Sequence, residues 1–162
     1  MEVSKASFCV TILLFLFIKT GIVAADISGT AAINVTISAI NEIALTGGSV
    51  SLTVNSATAG SQPTDATDSA TADLSWTTNQ AGRKITVITN QASPTFTLTT
   101  EATTISGGIS AGAITPTISA ADFITAIANT VGTCDLTYVG SATTAQGTGS
   151  DAHTITYTLT AS

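Results

Sequence analysis

The chain has 162 residues, of which only 9% are charged, and a formal net charge of −6 at neutral pH. An acidic chain so poor in lysine and arginine has no electrostatic footprint for nucleic acid or anionic lipid, and its charge content is low for a cytosolic enzyme. Its length suits one domain that can bury a core without covalent staples.

Residues 1–25 read as a secretory signal peptide. Lys5 supplies a positive start and Phe8 to Ile18 form a short apolar run. Val23, Ala24 and Ala25 then give small residues at the −3 and −1 positions of a cleavage site. The run is shorter than the roughly 20 residues of a membrane span. The expected mature chain is therefore a single β-sandwich domain over 26–162, with the membrane met only during export. Its sole bases are the adjacent Arg83 and Lys84, so Thr, Ser, Ala, Asn and Gly dominate its surface. Packing such a surface against another copy costs little ion desolvation. Cys9 falls in the leader, which leaves Cys134 alone. An intramolecular disulfide is then impossible, and the thiol is expected to be buried and inert.

Downstream of the leader the apolar pattern has period two. Ile33, Val35 and Ile37 open it, followed by Val50, Leu52 and Val54 after the Gly47-Gly48 turn. The segment Ala57 to Ser69, with Pro63, reads as a long exposed loop. Ala70, Ala72, Leu74 and Trp76 share the next strand face. Asn79 to Gly82 then reads as a tight hairpin into Ile85 and Val87. Phe96 and Leu98, Leu136 and Tyr138, and finally Ile155, Tyr157 and Leu159 complete the series. β-branched runs that are apolar on one side only describe half-buried antiparallel strands.

One stretch departs from that period. Ser119 to Asp122 resembles a capping box, and Phe123, Ile124, Ile127, Ala128 and Val131 fall at helical spacing before Gly132. The expected fold is all-β: an immunoglobulin-like antiparallel sandwich of about seven strands with this one short crossover helix.

No catalytic, cofactor-binding or metal-binding residue can be assigned from this pattern. His153, the only histidine, shares the parity of Ile155 and Tyr157, and a zinc site needs more ligands than one His and one Cys supply. The serines and threonines have no partnering base, and no Gly-x-Ser-x-Gly elbow is present. Asp65, Asp68 and Asp73 come closest to a calcium signature but match no known spacing, so they read as solvated acids. Asn34-Val35-Thr36 is an acceptor sequon in form. Trp76, Tyr138 and Tyr157 could form a sugar-stacking platform, but Trp76 and Tyr157 share the parity of core residues, which favours packing.

Three segments carry a family resemblance: Leu74-Ser-Trp-Thr-Thr-Asn with Gly82-Arg-Lys-Ile-Thr-Val, Ala121-Asp-Phe-Ile-Thr-Ala-Ile, and the closing Thr154-Ile-Thr-Tyr-Thr-Leu-Thr. Together they look like small exported bacterial β-sandwich proteins, including coat-like and fimbria-like subunits of the spore coat protein U type. The resemblance implies a secreted, cell-surface or periplasmic structural protein, without catalysis or cofactor, that associates with itself or with other surface proteins. Gly149 stands where chaperone–usher pilins carry a glycine before their final strand. The chain departs from them in having Ala161 where they have an aromatic residue, and in lacking their disulfide.

A soluble module binding carbohydrate or calcium through Ala57–Ser69 and Gly140–Ser150 is the alternative from another class. The mature N-terminus from Asp26 to Ile40 has two possible destinations, as the first strand of its own sandwich or beside an edge strand of a neighbour. Self-pairing is the expected one, because only Asn41 and Glu42 separate this segment from Ile43.

Overall fold

Eight strands form two sheets in a computed structural model that describes residues 28–162. The signal peptide assigned to 1–25 lies outside the described residues. The strands are β1 (Asn41–Gly47), β2 (Ala66–Thr78), β3 (Arg83–Thr89), β4 (Thr97–Ser106), β5 (Ile109–Ser110), β6 (Ala121–Ile127), β7 (Thr130–Ser141) and β8 (Ile155–Ala161). One antiparallel sheet has the order β1-β2-β7-β4 and the other β5-β6-β3-β8. The chain divides between Thr36 and Ile37. Residues 28–36 are exposed and form no strand, while Ile37–Ser162 holds all eight strands.

Both sheets direct alternate side chains into one core. Ala72, Leu74, Trp76, Cys134, Leu136 and Tyr138 enter it from the first sheet, and Ile85, Val87, Phe123, Ile124 and Ile127 from the second. The pairing of β2 with β7 sets Trp76 opposite Gly132. A β-carbon on Gly132 would lie 2.2 Å from the indole ring, so only glycine lets the ring lie flat on the partner strand. The expectation of a buried Trp76 holds, at 2% exposure.

The expected crossover helix is absent. Residues 121–127 form β6, and Thr130 already begins β7; the described residues contain no α-helix and one 3₁₀ turn, Thr144–Gln146. The helical spacing has a different cause. The β6–β3 ladder shifts register on both sides of Ile85, and Ala126 adopts a left-handed φ of 56°. That bulge turns Phe123, Ile124 and Ile127 inward together, reproducing an i, i+1, i+4 pattern on a strand. Val131, expected on the helix, lies 70% exposed on the outer face of β7. Gly132 is mid-strand and ends no helix.

Four further expectations need correction. Asn79 to Gly82 makes a tight turn, with Gly82 at φ 67°, but it carries the chain from one sheet to the other and closes no hairpin. The Ala57–Ser69 loop is shorter than expected, since β2 starts at Ala66. The Asp26–Ile40 segment pairs with no strand over its described residues, and Ile33, Val35 and Ile37 are 80%, 80% and 75% exposed. Residues 50–54 also join no ladder, although Val50, Leu52 and Val54 alternate toward the core.

The Trp76–Gly132 contact yields a direct test. Iodide should quench Trp76 poorly and its emission should be blue-shifted. Gly132→Ala should destabilise the fold by about 1–3 kcal/mol through overpacking, measured by urea denaturation. A stability unchanged by Gly132→Ala would contradict the assigned β2–β7 register.

Candidate functional site

β1 and β8 are the outermost strands on the same side of the two sheets, and each is hydrogen-bonded to one neighbour. Opposite residues of an antiparallel ladder share a face. Ile43 and Leu45 therefore point inward with their partners Trp76 and Leu74. Leu45 is nevertheless 46% exposed, whereas Leu74 is fully buried. On the other lip, Ile155, Tyr157 and Leu159 oppose the buried Thr89, Val87 and Ile85 yet are only half-buried themselves.

A hollow of about 800 Å³ opens at one end of the sandwich, its mouth lined by residues 50–54, the start of β4 at 96–98, the end of β7 at 138–141 and the loop 147–154, with Leu45 from β1 and Ile155 from β8. Its polar rim is already bonded. The Phe96 amide donates to Asp151 Oδ2 at 2.7 Å, and Thr89 Oγ1 lies 3.1 Å from Nδ1 of His153. His153 makes no hydrogen bond to Asp151 or to a serine among the described residues. The arrangement offers an apolar surface with a hydrogen-bonding rim, in which Asp151 supplies a carboxylate and the Thr89 hydroxyl pairs with the His153 ring.

Beneath the mouth, three hydroxyls bridge the sheets. Tyr157 Oη lies 3.0 Å from Thr100 Oγ1 and 3.0 Å from Tyr138 Oη. The Tyr157 ring tilts against Phe123 with centroids 5.1 Å apart. Burial raises both phenol pKa values above the ordinary tyrosine value of 10.0. Burial likewise pushes the Cys134 thiol up to about 11, and Cys134 is buried as expected.

The remaining candidates separate. Asp68 caps a bulge in β2, accepting from the Thr71 hydroxyl at 2.7 Å and the Thr71 amide at 3.1 Å; that hydroxyl holds its carboxyl below the ordinary value. Asp73 stands opposite Asp135 on the outer face of the sheet, and Asp65 precedes β2. No group of three or more His, Cys, Asp or Glu side chains able to hold a metal occurs among the described residues. Asn34 of the sequon lies in the exposed unpaired segment, not in the expected strand. The two loops singled out as a binding surface do meet: the Thr144 amide donates to Gln62 Oε1 at 2.9 Å. They border a smaller hollow of about 320 Å³, whose lining, including Val54, Asn55, Pro63 and Thr143, carries no carboxylate. The hydroxyl bridge and the open mouth escaped sequence reasoning, although the parity of Tyr138 and Tyr157 had marked both as inward-facing.

Among the described residues no helix is long and apolar enough to cross a membrane. Searches against family models, curated proteins and solved structures gave no match to this chain.

The buried hydroxyls and thiol fix a pH dependence. Raised pKa values in the fold leave stability intact below the unfolded values, near 9 for Cys134 and 10 for the tyrosines. Stability should then fall as pH rises through 9 to 11 and beyond, because only the unfolded chain ionises there readily. Phenolate absorbance at 295 nm should appear together with unfolding. Titration of both tyrosines in a still-folded chain would overturn the buried bridge.

Proposed function

We propose that the chain is an exported structural or adhesive surface protein, a non-catalytic subunit of a coat, pilus-like fibre or matrix, built on an immunoglobulin-like sandwich. The observation that carries this reading is the apolar surface a single copy leaves uncovered. Ile33, Val35 and Ile37 stand in solvent at regular alternation, and Leu45, on the inward face of β1, is 46% exposed beside the larger hollow. Large uncovered apolar surfaces mark association sites. A body carrying one ion pair among its described residues, Lys84 to Asp122 at 2.8 Å, opposes self-contact with little charge. Immunogold labelling of producing cells under negative stain should place the protein on a fibre or lattice outside the cell. Purified exported chain that stays monomeric at high concentration, with no label at the cell surface, would overturn the reading.

The meeting of loops 57–65 and 142–147 favours one second reading, a soluble binding module. The carboxylate-free hollow between these loops fits a neutral glycan better than calcium. Calorimetry with a glycan panel and with calcium separates the readings, and no heat with any of them removes the second.

A further inference from the structure

Asn34-Val35-Thr36 is a motif with a defined chemistry that the surface-protein reading leaves unused. Six asparagines follow the expected leader, at 34, 41, 55, 79, 90 and 129, and only Asn34 has a serine or threonine two positions on. The residue between is valine, not the proline that disqualifies such a site. N-glycosylation uses the side-chain amide nitrogen, a weak nucleophile that reacts only when a transferase holds it together with the hydroxyl two residues later. A paired strand would withhold that stretch of main chain from the enzyme.

The fold removes this obstacle. Residues 28–36 form no strand. Ile33 and Val35 are each 80% exposed, and Asn34 and Thr36 are exposed with them. Among the described residues the hydrogen-bonded chain begins at Ser38, whose carbonyl accepts from the Asn79 side chain at 2.8 Å. Ile40 is then held to Asn79 twice, its amide donating to the side-chain oxygen at 2.8 Å and its carbonyl accepting from the Asn79 amide at 3.3 Å. Asn34 therefore precedes the first tie by a full turn of alternation, and neither folding nor strand pairing hides it. Asn34 also shares the parity of Thr36 and Ser38, so a sugar there extends the polar register and leaves Ile33, Val35 and Ile37 unsubstituted.

We propose that Asn34 is an N-glycosylation site, modified as the chain is exported. The side-chain nitrogen attacks the anomeric carbon of an oligosaccharide carried on a polyprenyl phosphate or diphosphate. The C–N bond forms as the C–O bond to phosphate breaks; the lipid phosphate leaves with the electron pair, and the amide gives one proton to solvent. No oxidant or reductant enters. The inference rests on the export reading above, because the lipid-linked sugar meets only chains that cross a membrane.

Intact-mass spectrometry of the full-length chain secreted by its producing cells tests the site, with Asn34→Gln, Thr36→Ala and Thr36→Ser made in the same cells. The parent should exceed the mass of its mature sequence by one glycan, and fragmentation should place that glycan on Asn34. Asn34→Gln and Thr36→Ala should each return the chain to its sequence mass, whereas Thr36→Ser should retain the glycan. A secreted parent at its bare sequence mass, or an excess that survives Asn34→Gln, overturns the site while export stands. A chain kept inside the cell with residues 1–25 still attached overturns the export reading and the site together.

Discussion

The Trp76 indole lying on the Gly132 backbone is the contact on which the rest of the fold depends. It sits between β2 and β7, the two inner strands of the first sheet, and fixes their register by steric exclusion. A one-residue slip would set the ring against a residue with a side chain and turn every inward side chain of β2 outward. With the register set, Leu74 opposes Cys134 and Ala72 opposes Leu136, and these pairs form the floor onto which β3 and β6 pack. The indole nitrogen is buried with no partner among the described residues, a desolvation cost of about 1–3 kcal/mol that the ring's packing must offset.

From that centre outward, completeness declines toward one side. The floor strands bury their inward residues over 72–78 of β2, 132–138 of β7 and 85–89 of β3, whereas β1 and β8 do not. The Thr100–Tyr157–Tyr138 hydroxyl bridge holds the two sheets together near this side without consuming the main-chain groups of the lips.

The period-two alternation made the all-β class and most core residues legible from sequence: Trp76, Ile85, Val87, Leu136 and Tyr138 all face inward as their parity requires. Parity failed where a bulge intervened. Phe123, Ile124 and Ile127 face one way because the β6–β3 register shifts on both sides of Ile85, once across the left-handed Ala126, and no residue type in that stretch signals it. Parity also says which face of a strand is apolar, not whether a partner strand exists. Residues 33–37 and 50–54 therefore look like β2 in sequence but join no ladder. The connection at Asn79 to Gly82 shows a related ambiguity, since a tight turn has the same composition whether it closes a hairpin or crosses between sheets. The candidate site was the least legible feature, because its open lips depend on which strands end up outermost.

Amide hydrogen exchange, compared between the parent and Gly132→Ala, most directly tests whether the Trp76–Gly132 contact organises this fold. In the parent, residues 72–78 of β2 and 132–138 of β7 should be strongly protected. In Gly132→Ala that protection should fall in both strands together. Protection of β2 and β7 left unchanged by the substitution would contradict that account.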